Sequence, residues 1–282
     1  NLLVINTAKI AKLKFMRKMY KVSFLLLLLS ASAHLVSAQN SFFISINEND
    51  ASLANSKRTI TPVKYNTLKA DISQLKTFLW SLPAEKNLIN KNAAPVLSLP
   101  MPDGSIARFH VWESSLMEPG LEAKFPEMKT FAGVGIDDPY ASIRFDYNPY
   151  FGFHAQVLSA KGRVYIDPYA RWDVDHYMSY YTRDNKKLSP FTCETIDDTP
   201  VSNIITAGPC RGTQLFTYRL ALACTGEYAV AVCAPNAPTI PATAAAMLTT
   251  VNRVTGVYET EVSLRMVLIA NNNSLIYLDG TT

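Results

Sequence analysis

Seven short segments between residues 96 and 183 constrain the fold most: Val96–Leu99, Ile106–Glu113, Thr130–Ile136, Ala141–Tyr147, Gly152–Leu158, Arg163–Asp167 and Tyr177–Arg183. Most are rich in β-branched and aromatic residues. Turn-forming residues part them, among them Pro102-Asp103-Gly104, Asn148-Pro149 and Ser159-Ala160-Lys161-Gly162. Short strands at such regular spacing pair with their sequence neighbours, so the pattern predicts an antiparallel meander. Within Ile106–Glu113, Ala107, Phe109 and Val111 point to one face and Arg108, His110 and Trp112 to the other. Upstream, Leu68, Ile72, Leu75, Leu79 and Leu82 recur three and four apart, which predicts a short helix across 68–82 ended by Pro83. Ile44, Leu53, Ile60 and Val63 supply material for an earlier strand pair.

The pattern changes after residue 183. Residues 184–212 carry Lys186, Lys187, Pro190, Asp197, Asp198, Pro200, Gly208 and Pro209, the composition of an exposed linker open to proteases. Beyond it, Thr217–Cys224 reads as a strand. Pro241–Thr260 reads as a helix with an apolar stripe of Met247, Leu248, Val251, Val254, Thr255 and Tyr258. Val262–Ala270 is a continuous aliphatic run suited to a buried strand. This order is that of a right-handed crossover unit, and Ser274–Leu278 reads as the opening of a further strand.

The N-terminal part reads as an export signal. Met16–Lys21 is basic and Val22–Leu29 is apolar. Val36-Ser37-Ala38 places small residues for cleavage between Ala38 and Gln39. The apolar run falls short of the roughly 20 residues a bilayer span needs, and His34 with the neighbouring serines argues against a stable membrane anchor. Six of the 27 basic side chains (Lys9, Lys12, Lys14, Arg17, Lys18, Lys21) fall within residues 1–38, which hold no acid, so the remainder carries 21 basic against 23 acidic groups. That balance offers no electrostatic case for nucleic acid as a partner. An exported chain meets oxidising conditions, so Cys193, Cys210, Cys224 and Cys233 are candidate disulfide cysteines with their pairing open.

Chemistry-bearing motifs are scarce. No Gly-x-Ser-x-Gly elbow, P-loop or Gly-x-Gly-x-x-Gly is present. His110, His154 and His176 are scattered through the meander, where ordinary hydrogen bonding accounts for them. Asp137-Asp138-Pro139 reads as a turn, and Asn272-Asn273-Ser274 satisfies the glycosylation sequon. Aromatic side chains crowd residues 145–181. They allow a second functional class, a secreted β-rich binding or adhesion module whose aromatic sheet contacts glycans or proteins.

Two stretches carry a resemblance. The block FHVWESSLMEPGLEAKFPEMKTFAG followed by DDPYASIRFDY, FGFHAQVLS and GRVYIDPYA spans Phe109–Ala170. The second, CRGTQLFTYRLALACTGEYAV through ETEVSLRMVLIANNNSLIY, spans Cys210–Tyr277. Together they resemble secreted bacterial reprolysin-like zinc metalloproteases of the metzincin clan, as a prodomain and the start of the protease domain. The resemblance implies an α+β chain: a β-rich antiparallel prodomain followed by an incomplete metzincin-like α/β protease domain of strand–helix–strand only. It implies residues 1–38 as upstream residues and signal peptide, 39–187 as prodomain, 188–211 as linker and processing region, and 212–282 as the N-terminal fragment of the protease domain. It also implies an activating protease that cuts at Arg211, before Gly212, or at Lys187, and protein or peptide substrates for the parent enzyme. The product would be secreted or held at the cell surface. Zinc in that family is held by a later His-Glu-x-x-His helix whose glutamate is the general base. No histidine follows His176, so no catalytic or metal-ligating residue is assigned. The chain as it stands is expected to bind no zinc and to be inactive. Leu220 stands where related proteases often carry a calcium-binding glutamate, so no calcium site is expected from that strand.

Overall fold

The computed structural model describes residues 41–49, 53, 58, 60–185 and 214–281. Ala38, Gln39, Lys187, Cys193, Cys210, Arg211 and Gly212 lie outside the described residues. Those from Ser41 onward form one compact unit.

Nine strands make one antiparallel sheet: β1 (Phe43–Ser45), β2 (Asn66–Ala70), β3 (Val96–Pro100), β4 (Ile106–Glu113), β5 (Lys129–Gly135), β6 (Ser142–Asn148), β7 (Gly152–Leu158), β8 (Val164–Pro168) and β9 (His176–Tyr181). Their order is β1-β2-β9-β8-β7-β6-β5-β4-β3, so β3 to β9 form the meander the spacing predicts. The sheet curls until its two edges, β1 and β3, come into contact. Alternation along each strand decides what the curl encloses. Phe109 and Val111 of β4, Phe131 of β5, Ile143, Phe145 and Tyr147 of β6, Phe153, Ala155 and Val157 of β7, and Ile166 of β8 all belong to the enclosed core. Phe131 stacks on Phe145 with ring centroids 5.0 Å apart, and Phe153 lies between Phe145 and Phe43. Each such ring stabilises the fold by roughly 1.5–3 kcal/mol through burial.

Helix α1 (Ile72–Trp80) closes one opening of this core through Leu75 and Leu79. It starts four residues after the expected Leu68. The Asp71 side chain accepts from the Gln74 N–H at 3.0 Å, which satisfies an open first-turn donor and fixes the helix start. Leu68 is therefore in β2, opposite Tyr177.

A one-turn helix, α2 (Pro119–Glu122), follows β4. Beyond the linker come β10 (Phe216–Leu220), α3 (Gly226–Cys233), α4 (Ile240–Val262) and β11 (Leu264–Leu268). Thr239 caps α4, Pro241 occupies its first turn, and Ser263 at φ 55° ends it. Strands β10 and β11 pair in parallel. Of Ser274–Leu278, expected to open a strand, the first two residues end the 3-10 turn Asn272–Leu275 and Ile276 makes a single bridge to Cys224.

This architecture corrects the expected fold class. The described chain is dominated by a curled, nearly closed antiparallel sheet with few helices, and not by a prodomain followed by a metzincin-like α/β domain. Two parallel strands make too little sheet to stand alone. Helix α4 instead lies against β6 and β7 of the large sheet. Gly256 permits the approach: a Cβ there would sit 2.9 Å from Arg144 Cγ and 3.1 Å from Gln156 Oε1.

Candidate functional site

The outer face of β6 to β9 is built from the polar half of each strand's alternation. Arg144 and Asp146 of β6, His154 and Gln156 of β7, Tyr165 and Asp167 of β8, and Tyr180 of β9 alternate with the enclosed residues. Such a face ordinarily meets water. Here α4 covers it, and Arg144, Asp146, Gln156 and Asp167 are each at most 4% exposed.

The helix meets this face with its own polar residues. Thr249 Oγ1 donates to Asp146 Oδ2 at 2.6 Å, and Asn252 Nδ2 donates to Asp146 Oδ1 at 3.2 Å. Arg253 donates to Asp167 Oδ1, and Tyr180 donates to Asp167 Oδ2 at 2.7 Å. The Arg253 guanidinium also lies 4.7 Å from the Tyr165 ring centroid. Further along, Glu259 takes both Arg144 Nη2 at 2.5 Å and the Nε of Arg265. Arg265 Nη1 reaches Glu85 at 2.8 Å, and Lys91 reaches the other Glu85 oxygen at 2.9 Å. The result is a chain of alternating charges from the sheet, through α4, to β11 and the 3-10 turn Glu85–Asn87.

Burial and charge set the ionisation of these groups. Burial pushes the Asp146 carboxyl up and the His154 imidazole down, with His154 Nδ1 3.7 Å from Asp146 Oδ2. That combination favours a neutral pair. Burial also opposes the Asp167 carboxylate, but the Arg253 guanidinium outweighs it and holds Asp167 below the usual range. Glu85 resists burial in the same way, and its hydrogen bonds and charge contacts with Arg265 and Lys91 hold it at about 2.

A second set of contacts borders the seam. The segment Leu116–Glu118 runs beside β11: Leu268 N–H donates to Leu116 O at 2.8 Å and Glu118 N–H to Leu268 O at 2.9 Å. The Glu118 carboxylate receives Arg219 and the Ala270 N–H. Apolar side chains fill the space below, with Leu116, Met117, Leu121 and Met128 against Ala242, Ala245, Leu248, Val251 and Leu268. Arg171 Nη1 donates to Ala231 O at the end of α3.

The histidines go separate ways. His110 Nδ1 lies 2.8 Å from Ala94 O, His176 Nδ1 lies 3.0 Å from Asp173, and only His154 enters the seam. Among the described residues no group of three or more His, Cys, Asp or Glu side chains is placed to hold a metal. Cys224 and Cys233 carry free thiols, Cys233 buried and Cys224 partly so. Leu220, offered as the residue that replaces a calcium ligand, packs against the apolar cluster below the seam. Asn272, the sequon asparagine, is buried and bonded through both amide atoms to the backbone of Leu222. Of the crowded aromatics, Phe145, Tyr147, Phe151, Phe153, Tyr169, Tyr177 and Tyr180 are all buried. Among the described residues no helix is long and apolar enough to cross a membrane.

Sequence reasoning missed the seam residues. Arg144, Asp146, Asp167, Thr249, Asn252 and Arg253 were given no role by it. The available signal was that both segments carry charged residues of both signs, Arg144, Asp146 and Asp167 in one and Arg253 and Glu259 in the other. No family model matches this chain, and no curated protein or solved structure matches it.

Proposed function

We propose that this chain is the precursor portion of an exported zinc-dependent endopeptidase, in which the curled sheet is an intramolecular holdfast for residues 214–281. The observation that carries this reading is the polarity of the seam. Five of its buried polar atoms lack a hydrogen-bond partner within the described residues: His154 Nδ1, Gln156 Oε1, Asn252 Oδ1, Arg253 Nε and Thr255 Oγ1. Permanent cores hold few such atoms, and five of the eight among the described residues fall in this seam. Surfaces that must also exist apart keep polar groups, because each side then meets water. The resemblance of Phe109–Ala170 and Cys210–Tyr277 to reprolysin-like zinc metalloproteases supports the same reading and supplies the reaction class. Under it, an activating protease cuts at Arg211 or Lys187, and the sheet, still held by the seam, is then degraded or displaced. Zinc and the peptide substrates belong to the parent enzyme, and no side chain described here is assigned to either.

The test is casein cleavage by the secreted parent protein before and after processing at these sites. Silence before the cut, activity once the cut sheet has been removed, and loss of that activity with a zinc chelator are expected. A processed protein without peptidase activity, or with activity that a chelator leaves untouched, overturns the proposal. Retention of glycans or proteins by the intact chain, with no peptidase activity, would favour the binding-module reading instead.

A further inference from the structure

One end of the seam opens into a cavity of about 380 Å³, near the small end of the roughly 300–1,000 Å³ typical of ligand pockets. His154, Asp167 and Arg253 contribute its polar surface, and Phe151, Trp172 and Tyr228 its aromatic surface. Arg171 stands among the lining residues as a second guanidinium.

The hydrogen bonds already made decide what the cavity can still bind. Of the two seam carboxylates only Asp167 lines the cavity, and each of its oxygens already accepts one hydrogen bond, from Arg253 and from Tyr180. Thr249 spends its proton on Asp146, and Thr250 spends its own on Ala246 O. Nitrogen groups remain. The Arg253 guanidinium is 26% exposed, and its bond to Asp167 uses Nη2. Arg171 engages the carbonyls of Ala231 and Ala234 through Nη1 alone. The lining therefore sets two guanidinium charges against the one carboxylate of Asp167, a balance that favours an anion over a cation. The aromatic walls add a place for an apolar body: Phe151 and Trp172 lie with centroids 5.0 Å apart. Trp172 itself is held at φ 68°, a conformation that costs a bulky residue free energy and recurs where a side chain is held for a ligand.

We infer that this cavity is a binding site for a small monocarboxylate with an aromatic or branched apolar body, its carboxylate on Arg253 and Arg171 and its body against Phe151 and Trp172. The site is independent of the precursor reading, since it needs only the packed chain.

Phenylacetate, phenylacetamide and phenethylammonium, titrated into the intact chain by calorimetry and ligand-observed NMR, test it. Phenylacetate should bind roughly tenfold more tightly than the amide, as expected for charge-assisted hydrogen bonds, and the ammonium should not bind. Ala246→Trp, which fills the cavity from α4, should abolish phenylacetate binding. Thr250→Trp, at an exposed lining position, serves if the first variant does not fold. Arg171→Gln should narrow the preference for acid over amide. The inference is overturned if none of the probes binds. Equal affinity for acid and amide, preference for the ammonium, or phenylacetate binding that survives a folded cavity-filling variant would overturn it equally.

Discussion

Arg144 shows how a single residue is committed by its neighbours. Its side chain is 4% exposed and its guanidinium depends on Glu259, with only a 3.5 Å contact to Ser114 O besides. Burying a guanidinium is costly unless a carboxylate compensates, and removing one partner of a buried pair typically costs about 3–5 kcal/mol. Glu259→Ala should therefore destabilise the chain by about 3 kcal/mol in urea unfolding, because Arg144 is stranded and Arg265 loses one of its two carboxylates. Adding Arg144→Met should recover most of that loss, since a thioether asks for no counter-charge. A Glu259→Ala variant as stable as the parent, or a double variant worse than the single one, would remove the pair from any account of the seam. Gly256 is the other residue on which the approach depends, because any Cβ there meets Arg144.

At the scale of elements, much was legible. Strands β3 to β9 and helix α4 lie where alternation and the 3.6-residue period put them, because turn residues and caps are local signals. The start of α1 was misread because Leu68 continues the helical period by coincidence, while Asp71 decides where the helix begins. The face of α4 was misread for a different reason. Val254 and Tyr258 belong to the apolar stripe by period, yet they are 37% and 43% exposed, while Thr249, Asn252 and Gly256 are buried. Hydropathy ranks side chains against water, and here the neighbour is a polar sheet face.

The tie between β11 and the 3-10 turn Glu85–Asn87 is also an element-scale feature, and it has a pH signature. Glu85 ordinarily titrates near 4.5 and is held at about 2 in the folded chain. A depressed carboxyl stabilises the fold fully above its unfolded value and loses that contribution as the pH falls through the folded one. Glu85→Gln should thus be less stable than the parent near neutrality. The gap should close as the pH drops from 4.5 towards 2, with urea midpoints as the measurement. A gap of constant size across that window would show that Arg265 and Lys91 do not hold the Glu85 charge.

For the whole molecule, pairing between distant segments was the illegible part. Strand and helix patterns are written within a dozen residues, but nothing local to residues 240–262 announces that the partner of Arg253 is Asp167 or that of Glu259 is Arg144. A solvent-facing strand pattern and a partly polar helix each look complete without the other, so the expectation of two separate domains was natural and the curled sheet with its covering helix was not. The same polarity predicts how the molecule comes apart. The seam joins the two segments through buried ion pairs, an apolar cluster and the main-chain bonds of Leu116 and Glu118 to Leu268. None of these contacts needs the linker. Trypsin nicking at Lys187 or Arg211 should therefore leave the two pieces associated, and they should co-elute in size exclusion and appear as one complex in native mass spectrometry. Moderate salt should not separate them, because buried pairs are screened far less than surface ones. Asp167→Arg should release them, as it sets two guanidinium groups against each other where Arg253 now meets a carboxylate. Pieces that part on nicking alone would mean that the linker, and not the seam, holds the molecule together.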